Sequence, residues 1–277
     1  NGAAVSVLDN LQAGTPVNLA GVRDRINLFT EDVRDRNGVQ RVVELCEPAY
    51  VFHLAANASV PGSVEDPAYD FQTNSAGSFT LFNALRKYGR CRKVILASSG
   101  AVYGQPKVFP IREAQSTNPI SPYGASKVCA ETIARMFGCV YGLPTVTARI
   151  FNTYGPRMPR FVVFDFLRKL RDNPDVLEIL GDGQQTRDFT FVADTVEGLW
   201  LLAQRGLAGE VYNLASGSSV SVTDVANVLI LALGLRGHTQ IHYTGSSWVG
   251  DAQRWEVSIE KLRALGYRPQ VSLSEGL

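Results

Sequence analysis

The sequence is short of histidine, of paired cysteine and of unbalanced charge, and each shortage closes off a class of function. Only three histidines, His53, His238 and His242, occur in 277 residues, too few to build a His-based metal centre, so no metal is expected. Four cysteines, Cys46, Cys91, Cys129 and Cys139, include no CxxC pair. They read as reduced thiols of a cytoplasmic protein and not as zinc ligands or a disulfide framework. Lysine plus arginine number 27 against 26 acidic residues, a net charge of +1, so no basic surplus draws nucleic acid and no acidic tail is present. No apolar run approaches the ~18 residues that span a bilayer, and no secretory signal is expected ahead of the first strand-like segment.

What is present is apolar material in a regular alternation. With 45% hydrophobic residues, the chain can bury the core of one large domain or of two closely joined ones. Strand-like runs at Ala3–Asn10, Ile26–Asp32, Tyr50–Ala56, Lys93–Ala97 and Thr145–Ile150 alternate with helical patterns at Asn37–Cys46, Phe71–Tyr88 and Ala125–Tyr141. This order predicts an α/β fold, a doubly wound parallel sheet covered on both faces. Ligands of such sheets lie at the carboxyl ends of the strands, where Asp9, Asp32, Ala55, Ala56, Ser98 and Ser99 stand.

After Ile150 the order breaks. Residues 151–188 are richer in Pro, Gly and Arg, and include a helical stretch near Val162–Arg171 and the turn Gly181-Asp182-Gly183. The segments Phe189–Val192, the helix through Trp200 and Val211–Leu214 read as a return to the first domain. The rest carries a helix at Val222–Leu233, an edge-type strand at Gln240–Tyr243 and a helix near Ile259. The expected division is 1–150 plus 189–215 for one domain and 151–188 plus 216–277 for a smaller, discontinuous α/β domain.

The most informative stretch is Ser98–Lys127. Tyr123 and Lys127 stand four apart at the start of a helical run, so their side chains share a face. An ammonium beside a phenol favours the phenolate, which equips a tyrosine to take a proton from an alcohol. Tyr103 and Lys107 have the same spacing, but Gly104 and Pro106 between them break any helix. That second match is accidental. A solvated helix start and a Ser-rich turn explain Ser98, Ser99, Tyr123 and Lys127 equally well on these residues alone.

Taken together with Asp9-Asn10-Leu11, Asp32-Val33, His53-Leu54-Ala55-Ala56, Asn74, Ser98–Gly104, Arg149–Arg157, Gly181–Gly183, Arg187-Asp188-Phe189 and Tyr212-Asn213, the chain resembles the extended short-chain dehydrogenases/reductases. Within that group it is similar to the NAD-dependent epimerases and dehydratases of sugar nucleotides, exemplified by UDP-glucose 4-epimerase-like enzymes. The resemblance runs nearly end to end and implies a Rossmann-type NAD domain with a substrate domain. One departure stands out: the family opens with a strand and a glycine-rich turn that hold the pyrophosphate, whereas this sequence starts at the second strand. A βα unit of about 25–30 residues is therefore expected to be missing from the sequence.

The resemblance implies Ser99, Tyr123 and Lys127 as catalytic residues. NAD would meet Asp9, Asn10, Asp32, Val33, Leu54, Ala55, Ala56, Asn74, Tyr123 and Lys127. Asp9 would accept the ribose hydroxyls, and with no Arg or Lys expected near it to take a 2′-phosphate, NAD is expected over NADP. The nucleoside-diphosphate sugar would meet Ser59, Ser99, Asn152, Arg187, Asp251, Arg254 and Trp255, the arginines forking onto phosphate oxygens. A homodimer through the helices near 74–88 and 125–141 is also implied.

Related dehydratases keep an acidic pair after the Ser/Thr, and decarboxylases a Glu, where this chain has Gly100 and Ala101. The implied reaction is therefore 4-epimerisation through a 4-ketosugar, with NAD regenerated. A 4,6-dehydratase, a ketoreductase and a non-catalytic NAD-binding regulator remain the alternatives.

Overall fold

The computed structural model describes residues 2–246 and 253–277, and these form two compact units. The first comprises residues 1–102, 119–148 and 202–211, the second 103–118, 149–201 and 212–277. These bounds differ from the expected ones, chiefly in assigning 103–118 and 189–201 to the second unit.

In the first unit, β1 (Val5–Leu8) and β2 (Ile26–Phe29) pair in parallel, followed by α1 (Arg36–Cys46), whose N-cap Asp35 accepts from Asn37 N–H. β3 (Tyr50–His53) pairs in parallel with β4 (Lys93–Ser99), in a sheet of order β3-β4-β5-β9; of β5 (Thr145–Ile150) and β9 (Val211–Leu214), the unit bounds count residues 145–148 and 211 with the first unit. Between β3 and β4 run α2 (Val60–Glu65), α3 (Pro67–Phe71) and α4 (Gly77–Tyr88). α3 and α4 are joined by a π-helical turn, Gln72–Ala76, so helical backbone begins four residues before the expected Phe71. α5 (Pro122–Tyr141) follows β4. Its core is built by sequence spacing: Ala130, Ala134 and Phe137 of α5 meet Phe82 and Leu85 of α4, Val39 and Val43 of α1, and Val94 and Leu96 of β4. Residues three and four apart on a helix fall on one buried stripe, while alternate residues of β4 face this cluster.

α5 also starts earlier than the expected Ala125. Ser121 caps it by accepting from Gly124 N–H at 3.1 Å, and Pro122 takes a first-turn position. Proline is suited there because its missing N–H has no intrahelical partner. Gly124 is required by a close approach, since a Cβ would lie 2.6 Å from the Ala101 carbonyl oxygen. Tyr123 is thereby inside the helix, next to the glycine that packs on the turn after β4.

In the second unit, β6 (Asn152–Tyr154), β8 (Thr186–Phe191) and β10 (Ser219–Ser221) form a sheet of order β10-β8-β6. α6 (Phe161–Asp172) and β7 (Val176–Ile179) precede β8, and α7 (Val192–Arg205) follows it. β7 pairs in parallel with β11 (Gln240–Tyr243). α8 (Val222–Ala232), α9 (Glu260–Ala264) and α10 (Leu273–Gly276) complete the chain. The expected return of Phe189–Val192 to the first domain is corrected here. Phe189 of β8 packs with Tyr154, Phe166, Leu177 and Val225, and β8 pairs with β6 and β10.

Candidate active site

The site of the first unit is assembled where α5 begins beside the end of β4. Lys127 is 4% exposed, and its ammonium donates to the Ala97 carbonyl at 2.9 Å. Its Nζ lies 5.9 Å from the centroid of the Tyr123 ring, the shared face that the i, i+4 spacing predicts. Burial pulls the Lys127 pKa down to about 8, with Asp70 and Glu131 acting against the shift. Ser99 follows Ala97 by two residues, so the two side chains leave β4 on the same face. Ser99 Oγ accepts from Ala101 N–H at 3.2 Å. Tyr123 is held at its backbone: its N–H donates to Ser63 Oγ at 3.0 Å, and that hydroxyl donates to Val60 O at 2.7 Å.

Behind this pair lies a buried polar network that the sequence reading did not find. Asp70, fully buried at the end of α3, accepts from Ser126 Oγ at 2.5 Å. It also accepts from Asn74 Nδ2 at 3.0 Å and Asn57 Nδ2 at 3.1 Å. Asn74 Oδ1 accepts from Asn57 N–H at 2.8 Å, and Asn74 Nδ2 reaches Ser126 Oγ at 3.0 Å. Asn74, expected at the cofactor, therefore directs its amide to protein groups. Glu131, one turn beyond Lys127, accepts from Ser98 Oγ at 2.5 Å; its i+4 spacing from Lys127 was the signal available for it. His53 Nε2 lies 2.8 Å from Ser78 Oγ, which donates to the Asn74 carbonyl. Burial, then the Lys127 charge, pushes His53 down to about 3, so the imidazole is neutral.

At the ends of β1 and β2, Asp9 N–H donates to Phe29 O and Asp9 Oδ1 accepts from Leu11 N–H at 2.7 Å. Asp32 is held on both oxygens, by Arg34 Nε at 2.9 Å and Arg34 Nη2 at 2.8 Å. Asn10 Nδ2 adds a bond at 2.8 Å. The Arg34 guanidinium, foremost through its hydrogen bonds, keeps the Asp32 carboxyl well below the usual carboxylate range. Arg34 also stacks over Tyr69, 4.8 Å from its centroid, and Tyr69 OH donates to Gln12 Oε1. The expectation that no basic residue stands near this edge is corrected: Arg34 is there, and an acidic partner holds it. Val33 is buried, where a Cβ on Gly77 of α4 would meet its Cγ1 at 2.7 Å. Leu54, by contrast, is 54% exposed at the end of β3, followed by exposed Ala55 and half-buried Ala56. Ser59 caps α2 by accepting from Gly62 N–H at 3.0 Å.

The other expected residues belong to the second unit. Asn152 opens β6, opposite Phe189. Arg187 is buried on β8 and its Nη1 donates to the Thr186 carbonyl at 2.8 Å. Arg254 forks onto Glu256 Oε1 through Nε and Nη2 and lies 4.4 Å from the Phe109 ring centroid. Trp255 N–H donates to Thr186 Oγ1 at 3.2 Å, and its indole meets Phe151 edge-on with centroids 5.3 Å apart. Asp251 lies outside the described residues. Among the described residues, no group of three or more His, Cys, Asp or Glu side chains is placed to hold a metal ion, and no helix is long and apolar enough to cross a membrane.

A mixed α/β fold with parallel strand pairs and a Tyr-Lys pair at a strand end defines a class, the extended short-chain dehydrogenases/reductases. The chain belongs to the family described as GDP-mannose 4,6 dehydratase, whose profile matches residues 4–277. It is similar to the UDP-glucose 4-epimerase of Mycolicibacterium smegmatis, 32% identical over 284 residues, covering 100% of this chain and 89% of that protein. Among solved structures, the UDP-glucose 4-epimerase of Thermotoga maritima, crystallised with UDP-glucose, superposes with a TM-score of 0.92. It is 35% identical, over 100% of this chain and 89% of that one. A dTDP-glucose 4,6-dehydratase from Streptomyces venezuelae with NAD bound gives a TM-score of 0.89. It is 30% identical, over 99% of this chain and 84% of that one.

Proposed function

We propose that this protein is an NAD-dependent 4-epimerase of a nucleoside-diphosphate sugar. The observation that carries the reading is the placement of Lys127 against the Ala97 carbonyl with Tyr123 one turn before it. That geometry keeps a cation beside a phenol at the end of a strand, as proton transfer with a sugar hydroxyl requires. Ser99, on the same strand face as Ala97, shares that proton through Oγ, and Tyr123 Oη holds it between removal and return.

The residues fit the cofactor. Leu54 offers an uncovered apolar surface beside Ala55 at the end of β3, and small or apolar side chains allow close approach at such an end. Asp9 presents a carboxylate at the end of β1 for ribose hydroxyls, while Asn10 and Asp32 brace the same edge and Val33 packs beneath it. When bound, a nicotinamide supplies the reversible two-electron oxidation at the sugar C4. The chain's own residues orient the sugar, move one proton and return it.

In the second unit, Asn152, Arg187 and Arg254 are proposed to hold the diphosphate, with Arg254 exchanging its Glu256 partner for phosphate oxygens. Trp255 is proposed to border the sugar. Epimerisation is favoured over dehydration because Gly100 and Ala101 carry no proton-moving group. The exposed Phe79, Val140 and Tyr141 on α4 and α5 support a homodimer, and four free thiols suit a reducing cytoplasm.

The test is to add NAD and UDP-glucose or UDP-galactose to the protein and follow the sugars by proton NMR. Interconversion of the C4 epimers supports the reading. No turnover of either, with no NAD binding, refutes it.

A further inference from the structure

We propose that Asp70 is a positioning residue for the Tyr123–Lys127 pair: its buried carboxylate fixes the first turns of α5 through Ser126 and supports the Lys127 ammonium. The role rests on the acid/base reading above. Asp70 is 0% exposed, and a carboxylate in that position is expensive to keep charged. Burial pushes its pKa up. The donors around it offset that cost: Ser126 Oγ on one oxygen, Asn74 Nδ2 and Asn57 Nδ2 on the other. All three bring a hydrogen to it, which suits an acceptor-only group.

The connection to the reacting residues runs through Ser126. This residue is flanked in α5 by Tyr123, three positions before, and Lys127, the next position. Its Oγ lies within reach of the Tyr123 carbonyl, 2.9 Å away, as well as of Asp70. A shift of Asp70 therefore moves the turn that carries both side chains. The electrostatic connection is separate. Among the described residues, the titratable groups that act on Lys127 or lie beside it are Asp70 from α3, Glu131 and Tyr123 from its own helix, and His53 from β3. His53 is neutral, and Glu131 is bonded to the Ser98 hydroxyl. Among the described residues, Asp70 is the carboxylate from another element that acts on Lys127, and it favours the ammonium that burial disfavours.

The sign follows directly. Replacing Asp70 by a neutral isostere withdraws support from the ammonium, so Lys127 loses its proton at a lower pH. The experiment is a pH titration of Lys127 by 13Cε NMR in lysine-labelled protein, with the resonance assigned by its absence in Lys127→Arg. Asp70→Asn is expected to lower the midpoint by on the order of one pH unit. Asp70→Asn combined with Asn57→Asp, which moves the charge across one hydrogen bond, is expected to restore most of it. The alkaline limb of kcat should move by the same amount, with KM for the sugar nucleotide changed less than about twofold. A merely structural Asp70 would lower the melting temperature and leave both midpoints in place.

A folded Asp70→Asn protein with an unchanged Lys127 midpoint overturns the proposal. Should that variant not fold, the 13Cγ resonance of Asp70 in the wild type decides. An ionised carboxyl that registers a small step at the Lys127 midpoint supports it, and a protonated carboxyl across that range overturns it. Because these titrations need no substrate, they stand apart from the turnover assay: absence of turnover strikes the proposed function and leaves the Asp70 result readable.

Discussion

The ammonium of Lys127 donates to the carbonyl of Ala97 at 2.9 Å, tying the second turn of α5 to the strand that ends in Ser99. A lysine free to swing would neutralise a phenolate only part of the time. Tethered to a backbone oxygen and 5.9 Å from the Tyr123 ring centroid, it holds its amino group beside that ring. Tyr123→Phe removes one hydroxyl and little volume, so NAD and sugar-nucleotide affinities are expected to stay within a few-fold. The rate should fall about 10²–10⁴-fold, the usual worth of a positioned proton-transfer group. Retention of more than a few per cent of the wild-type kcat would place the acid/base role elsewhere.

The same lysine sets a pH limit. Its pKa is drawn down to about 8 by burial, so the ammonium is present below that pH and is lost above it. Activity that depends on the charge should decline on the alkaline side with a midpoint near pH 8, well below the ordinary lysine range. A kcat profile flat to pH 10 would show that turnover does not need the Lys127 charge.

Cofactor choice should follow the edge formed by Asp9, Asp32 and Arg34. Arg34 is a cation at this edge, and both oxygens of Asp32 hold its guanidinium. Asp9→Ala is expected to weaken NAD by roughly the 1.5–3 kcal/mol of a hydrogen bond to a charged group. Adding Asp32→Asn should loosen Arg34 and improve NADP relative to NAD. Dissociation constants for both cofactors, measured by fluorescence, check this. An unchanged ratio in the double variant would separate this edge from the ribose.

The helix that carries Tyr123 and Lys127 could be read from the sequence because a 3.6-residue apolar period and a fixed i, i+4 spacing are local properties. Its first turn was missed, since the start is set by Ser121 as cap and Pro122 after it, and the apolar period begins only later. Asp70 was invisible for a different reason: an aspartate just past a proline reads as a solvated helix start, and only the packing of α3 against α5 buries it. β8 was misplaced because Phe189-Thr190-Phe191 is as apolar as a central strand, and apolarity does not say which sheet a strand joins. Arg34 lies two positions beyond Asp32, and the bidentate pairing of such near neighbours depends on the turn between them.

Trp255 packs its indole edge against Phe151 with an interplanar angle of 78°, a rigid aromatic contact in the segment where the resemblance puts the wall of the sugar pocket. If it borders the sugar C2, an acetamido group there would be overpacked, at about 1–3 kcal/mol. UDP-glucose and UDP-galactose should then exceed their N-acetylated counterparts in kcat/KM by roughly 5–150-fold, using ~1.4 kcal/mol per tenfold. Trp255→Ala should narrow that gap. Equal kcat/KM for the two classes in the wild type would make Trp255 a packing residue and nothing more.

The last expectation concerns the fate of the 4-ketosugar. Eliminating water across C5 and C6 needs a base for the C5 proton and an acid for the departing hydroxyl, both beside the sugar. The turn after Ser99 provides neither: Gly100 has no side chain, Ala101 has a methyl, and Ala101 N–H is donated to Ser99 Oγ. Its carbonyl lies so near Gly124 that a Cβ there would fall within 2.6 Å, so the turn is pinned to α5 and cannot readily swing another residue into place. Epimerisation asks only that the ketosugar turn its other face to the same cofactor before Tyr123 returns the proton. The protein is therefore expected to equilibrate UDP-glucose with UDP-galactose without forming a 6-deoxy product, and to give none from dTDP-glucose. Proton NMR separates the outcomes, because the 6-deoxy sugar carries a methyl doublet that neither epimer shows. That doublet would establish dehydration and direct attention to carboxylates near the site, Glu131 first, as the source of the missing acid or base.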